Sequence, residues 1–171
     1  MKEDFIDLMR FERRAVLATL DGVDDVTLAT LPICGDWTAK DILAHLASVD
    51  AAILGVVRQV RAGEPVTWAW EGHPQGYDWN AVEVASRQNL TVAEVRAELE
   101  ENHRDLIAEL ESWPADSGPF DPDSWDEEKS PFGWAPSHER EHAEYLRALQ
   151  AGHEFLEDLD REAASTSRSR F

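Results

Sequence analysis

The sequence has little positive charge. Sixteen lysine and arginine residues stand against 35 aspartate and glutamate residues, which gives a formal net charge of −19. Nucleic acids and anionic membrane surfaces carry the same sign of charge and would repel most of such a molecule. The shortage of basic residues therefore argues against nucleic acid and membrane as partners.

Long apolar runs are also missing. No stretch approaches the roughly 18 to 20 consecutive apolar residues that a membrane-spanning helix needs. The opening residues, MKEDFIDLM, place acidic side chains where a signal peptide would need an uninterrupted apolar segment. We therefore expect a cytoplasmic protein.

Cysteine is nearly absent, since Cys34 is the single one in the sequence. One cysteine cannot form an internal disulfide, which agrees with a reducing compartment. A lone cysteine is more often a small buried hydrophobic residue than a nucleophile, and Cys34 is interpreted in that way.

Helical periodicity, by contrast, runs through most of the sequence. The segments that show it span about 2–20, 38–63, 80–88, 91–110 and 136–160. Thr38 followed by Asp41, and Thr91 followed by Glu94, are typical of capping boxes at helix N-termini. Strand-like alternation is confined to PVTWAW, residues 65–70.

Four amphipathic helices, the third of them split, predict an all-α domain, with a four-helix bundle as the simplest architecture. A chain of 171 residues buries one core and not two, so we expect one domain over residues 1–162. The remaining segment, AASTSRSRF at 163–171, contains little that packs, and we expect it to be disordered.

Two connections are longer than the turns that usually join bundle helices. Residues 63–79 and 113–134 hold six of the seven tryptophans. Aromatic-rich loops at one end of a bundle either form the walls of a ligand pocket or cover the end of the core. The sequence leaves both interpretations open.

The stretch HEREH, residues 138–142, matches the H-E-x-x-H pattern of zinc proteases. A protease of this type needs a third ligand, and Glu162 would lie about 30 Å along the same helix. Proteolysis is therefore the minor alternative. Glu139 and Glu141 are interpreted as first-turn acids that favour a helix N-terminus, with a catalytic role for Glu141 or Glu139 as the minority interpretation.

Three histidines are expected to share one face of the bundle core. His138 and His142 are one helical turn apart, and His45 interrupts an apolar stripe between Ile42 and Val49. Three imidazoles with an open fourth position suit Zn, Ni or Fe. The alternative for His45 is an ordinary hydrogen-bonded core histidine.

The stretch GDWTAKDILAHLASVD, residues 35–50, resembles the second-helix sequence of the DinB/YfiT-like superfamily. His138 and His142 resemble the H-x-x-x-H pair at the start of its last helix, and the resemblance covers about residues 1–160. It implies a four-helix bundle in up-up-down-down order, with a divalent metal near one end of the core.

KDILAHL and GYDWNAVEV also resemble the ClbS/DfsB branch of this superfamily. The resemblance implies an activity that opens a strained cyclopropane electrophile as self-protection. Members of that branch commonly carry one histidine in the final motif, whereas this sequence has the pair.

We expect a substrate pocket at the metal end of the bundle. Trp37 and Trp134 directly precede the helices that carry the histidines, and Trp79 ends a tryptophan-rich loop. These three rings are the expected walls. Asn80 and His103 are the expected polar contacts, and His103 is, with Glu141, a catalytic candidate. The alternatives are helix capping for Asn80 and a core position for His103.

The leading hypothesis is a metal-dependent enzyme of small-molecule detoxification, which hydrolyses an electrophile or adds a low-molecular-weight thiol to it. The competing hypothesis is a protein that binds or sequesters a small molecule without turnover. A homodimer is compatible with either. Because the chain is strongly acidic, a partly apolar substrate is expected rather than an anion.

Overall fold

The computed structural model describes residues 2–114, 134–149 and 151–152. Its elements are α1 (Lys2–Ala18), α2 (Asp25–Thr30), β1 (Pro32–Cys34), β2 (Trp37–Thr38), α3 (Ala39–Ala62), α4 (Trp79–Ser86), α5 (Val92–Glu111) and α6 (134–149). The predicted all-α class is confirmed, because helices dominate and the strands form one short antiparallel pair. The tail at 163–171 and Glu162 lie outside the described residues.

The core joins the four long helices. Fully buried side chains from α1, α3, α5 and α6 meet in one apolar cluster; they include Val16, Leu43, Leu99 and Leu146. Helix α3 is the central element and packs most extensively against α5. The up-up-down-down order stays a prediction.

Within the described residues, no helix combines the length and the apolar composition that crossing a membrane requires.

Both predicted capping boxes are present. The Thr38 hydroxyl accepts from the Asp41 N–H while the Asp41 carboxylate accepts from the Thr38 N–H, and Thr91 and Glu94 repeat the arrangement. Gly63 caps the C-terminal end of α3, and its φ of 71° is a conformation that glycine adopts at little cost. These caps fix where α3 and α5 begin, and so fix the depth of each buried side chain.

Three local elements differ from the sequence prediction. Residues 65–70 form no strand; the strands are β1 and β2, which precede α3. Trp68 is buried instead by stacking on Trp70, with ring centroids 4.4 Å apart, so its burial needs no sheet. Helix α2, capped by Asp24, was not predicted because six residues are too few to show periodicity.

The capping role considered for Asn80 is wrong. The side chain of Asp78 caps α4 by accepting from the Ala81 N–H. Asn80 lies instead within the first turn of α4, on an exposed face. Its side chain is therefore free of the capping task and lies beside the cavity described below.

Candidate metal centre

The structure brings the three predicted histidines together. His45 projects from α3 and is 4% exposed, while His138 and His142 project from adjacent turns of α6. The Nε2 atom of His138 lies 3.1 Å from that of His45 and 3.2 Å from that of His142. All three rings therefore direct the same nitrogen at one point.

This spacing fits a divalent metal ion. Tetrahedral zinc has Zn–N bonds of about 2.0 to 2.1 Å, which places neighbouring ligand nitrogens about 3.3 Å apart. The Nδ1 atoms of the three rings are buried, and no described side chain or backbone group hydrogen-bonds to them. Imidazole nitrogen is a ligand that Zn, Ni and Fe share, so the donor set fits a divalent ion of this group.

Burial keeps the three histidines neutral. Desolvation, followed by the proximity of the other two rings, lowers the pKa of His45 to about 3. Desolvation and then His142 lower the pKa of His138 to about 4. The neutral imidazole is the form that binds metal, so no proton has to leave at neutral pH.

The stability of the metal-free protein should therefore depend on pH. The unfolded chain binds a proton at His45 near pH 6.5, while the folded chain does so only near pH 3. The contribution of each such histidine to the free energy of unfolding is thus complete above pH 6.5. It decreases as the pH falls, by up to about 1.4 kcal/mol per pH unit. Urea unfolding with a chelator, at several pH values between about 7.5 and 4.5, measures this loss.

The matched variant for this prediction is His45→Gln, which keeps a polar side chain of similar reach but does not titrate. Its free energy of unfolding should fall less steeply with decreasing pH than that of the parent. Equal slopes for the two proteins would contradict the depressed pKa of His45.

A cavity of about 550 Å³ opens above the histidines. His45 and His138 form part of its lining, together with the indoles of Trp70, Trp79 and Trp134. Trp70 meets Trp79 and Trp134 edge to face, with ring centroids 5.4 Å and 6.3 Å apart. Edge-to-face packing holds such rings in place, so the walls are preorganised.

A comparison with protein-family models identifies residues 9–143 with the mycothiol maleylpyruvate isomerase N-terminal domain. The chain belongs to this family. The mycothiol maleylpyruvate isomerase N-terminal domain is a DinB/YfiT-like family, so the predicted superfamily is confirmed, whereas the ClbS/DfsB branch stays a prediction. A search of curated proteins found no match, and a search of solved structures found none.

The matched stretch, residues 9–143, contains the three histidines and all of the predicted cavity residues. Trp37 lies against His45, with ring centroids 5.4 Å apart, but does not line the cavity. Trp70 takes the wall position instead. The sequence placed Trp70 in the correct loop, but loop composition does not tell which indole faces inward.

The two expected catalytic side chains lie apart from the cavity lining. Glu141 is exposed on α6, and its charge partly offsets the burial that lowers the pKa of His142. His103 is buried on α5, where its Nδ1 atom lies 3.4 Å from Asp50. The structure thus places His103 beside a carboxylate on α3 rather than at the cavity.

The interpretation of Glu139 as a first-turn acid is wrong, because α6 begins at residue 134 and Glu139 lies in its second turn. Glu139 is 3% exposed and accepts two hydrogen bonds from Arg13, at 2.6 Å and 3.2 Å. Its position was readable in part, because Glu139 lies midway between the buried residues Ala135 and Ala143 at helical spacing. The same bonds occupy both oxygens of the group that would act as base in an H-E-x-x-H protease.

Arg13 and its carboxylate partners form a buried charge cluster that no motif in the sequence indicates. Burial by itself would raise the pKa of Asp50, but Arg13 and His103 together outweigh burial and hold that pKa below its ordinary value. Burial raises the pKa of Glu139, and Arg13 offsets only part of the rise. Arg13 lies between the buried residues Met9 and Val16, a spacing that indicates an inward position.

Proposed function

We propose that this protein is a metal-dependent enzyme of small-molecule detoxification, which hydrolyses an electrophilic substrate or transfers a thiol to it. One observation carries the proposal: the nitrogens of three neutral histidines converge, and two of these histidines, His45 and His138, line an aromatic cavity. A metal ion bound by these histidines would therefore face the cavity that could hold an organic substrate.

The residues that line the site have separable tasks. His45, His138 and His142 hold the divalent ion, which supplies Lewis acidity that activates water or a thiol and polarises an electrophile. Trp79 and Trp134 hold the apolar part of the substrate and exclude bulk water. Among the described residues, no lysine or arginine lines the cavity, so an anionic substrate would lack a counter-charge there.

Two observations support thiol transfer as one arm of the proposal. The matching family is named after a mycothiol maleylpyruvate isomerase, and mycothiol is a low-molecular-weight thiol. A thiolate is also a favoured ligand of borderline divalent metals such as zinc. We therefore propose a thiol as cosubstrate, with water as the nucleophile in the hydrolytic alternative. Asn80, at the cavity lining, is the proposed polar contact to the substrate.

The aromatic walls also favour a second candidate function, which is sequestration of an apolar ligand without turnover. Chelation separates the two functions. We expect removal of the metal to abolish turnover of electrophiles, with or without added thiol, and readdition of Zn²⁺, Ni²⁺ or Fe²⁺ to restore it. Quenching of tryptophan fluorescence that persists unchanged after chelation, with no turnover before it, would instead identify a sequestering protein.

The cavity walls are tested by Trp79→Phe and Trp134→Phe. Each change removes part of an aromatic contact worth about 0.5 to 1.5 kcal/mol, so ligand binding and turnover should weaken about three- to tenfold. Titration of electrophiles and thiols against the variants measures the effect. The matched control is Trp113→Phe, since Trp113 packs beneath Arg61 and does not line the cavity.

Two outcomes would place the pocket elsewhere. One is that both wall variants bind and turn over substrate like the parent at equal melting temperatures. The other is that Trp113→Phe weakens binding as much as they do.

A further inference from the structure

Arg13 connects all four long helices at one level of the core. It belongs to α1, and its buried guanidinium, 4% exposed, donates to Asp50 on α3 at 2.9 Å. It also donates to the Leu99 carbonyl on α5 at 3.2 Å and to both carboxylate oxygens of Glu139 on α6. The planar fork thus donates four hydrogen bonds to acceptors on three different helices.

Two of these acceptors belong to the helices that carry the metal ligands. Glu139 is the residue after His138, and consecutive Cα atoms are about 3.8 Å apart. Asp50 lies five residues after His45 on α3. A guanidinium held by both carboxylates therefore ties α6 to α3 within two helical turns of His45 and His138.

Stability alone is a weak reason for such a cluster. Buried ion pairs lose most of their attraction to desolvation, and well-packed apolar residues often replace them without loss of stability. A rigid two-point contact does supply a fixed geometry, because the guanidinium fork and the carboxylate match in one arrangement. Metal ligation demands such a geometry, since ligand distances vary by only about 0.2 Å.

The carboxylates of the cluster do not form a second metal site of their own. Ligand atoms of Asp50, His103 and Glu139 lie within 4.8 Å of one another, close enough to share an ion. The Nη2 atom of Arg13 already lies 2.9 Å from Asp50 and 2.6 Å from Glu139. The cation that these carboxylates bind is the guanidinium.

We propose that Arg13 is a positioning residue of the metal centre, which sets the register of α6 against α3 so that His138 and His142 meet His45. The proposal rests on the three-histidine site of the proposed function. Arg13 does not touch the metal or the substrate; it acts through Glu139 and Asp50.

The first test is Arg13→Lys, which keeps the charge but replaces the fork with a single ammonium group. Changes to groups that orient metal ligands typically weaken metal binding about 10- to 100-fold. We expect Arg13→Lys to weaken Co²⁺ binding at least about tenfold and to alter the visible absorption bands of the Co²⁺ protein. The bands report ligand geometry, which a loss of stability alone would leave unchanged.

The matched control is Arg87→Lys. Arg87 also bonds to two carboxylates, Glu83 and Glu98, but it joins α4 to α5, and none of its described hydrogen bonds reaches a histidine helix. Its Co²⁺ affinity and spectrum should equal those of the parent. Thermal unfolding of both metal-free variants shows how much stability each change costs.

A second variant, Glu139→Asp, covers the case in which Arg13→Lys does not fold. It conserves charge and shortens the side chain by one methylene, so α6 must shift to keep the contact with Arg13. We expect weaker Co²⁺ binding and altered bands here also. Glu139→Gln removes charge but keeps the length, and its bands should change less than those of Glu139→Asp.

Parent-like Co²⁺ affinity and spectra in Arg13→Lys, or in Glu139→Asp if Arg13→Lys does not fold, would overturn the positioning role. That result would leave the proposed function intact, because the parent would still bind metal. Failure of the parent itself to bind Co²⁺ would instead overturn the metal centre and, with it, both proposals.

Discussion

Replacing His142 with alanine should reduce bound divalent metal from about one ion per chain to a small fraction of that. Loss of one of three ligands should weaken affinity more than about 100-fold, since even groups that only orient a ligand contribute about 10- to 100-fold. Turnover should fall in parallel if the metal is catalytic. Metal analysis by mass spectrometry after dialysis, on protein of unchanged helical content, measures the loss.

The control for this experiment is His73→Ala. His73 is exposed, stacks on Tyr77 with ring centroids 3.9 Å apart, and lies outside the three-histidine group. Its substitution should leave metal stoichiometry at the parent value. If His142→Ala bound as much metal per chain as His73→Ala, the metal would be bound at another site or non-specifically.

The largest stability effect is expected from Leu46→Ala. Leu46 is 1% exposed and belongs to the core cluster of the bundle, directly after His45 on α3. Removing a fully buried leucine side chain costs about 2 to 5 kcal/mol, through lost burial and the cavity left behind. Urea unfolding of the metal-free protein measures this cost without the stabilisation that bound metal adds.

Leu8→Ala is the same substitution at an outward position of α1. Leu8 is 38% exposed, so the Leu8→Ala variant should lose less than about 1 kcal/mol of its free energy of unfolding. Equal losses in the two variants would show that α3 is not the centre of the core.

The H-E-x-x-H pattern is compatible with two different kinds of site. In a zinc protease the glutamate faces the metal as a base. Here the two histidines face His45, while Glu139 points about 100° away around the helix and binds Arg13. The third ligand comes from α3 rather than from further along α6, which is why spacing within the motif could not identify the site.

The sequence by itself determined the features that depend on near neighbours along the chain. Helical periodicity and the capping boxes at Thr38 and Thr91 are set by residues three or four positions apart, so the long helices were readable. The inward direction of His45 and the shared face of His138 and His142 follow from the same spacing. These features indicated the metal centre before any tertiary contact was known.

Only the tertiary structure decided which distant groups meet. Arg13 binds Glu139 across 126 positions and Asp50 across 37, and no local pattern encodes such a pairing. Trp70, rather than Trp37, lines the cavity, because the path of a long loop depends on what its indoles pack against. Side-chain direction along a helix is a local property, whereas the partner that fills the space opposite is set by how the helices pack.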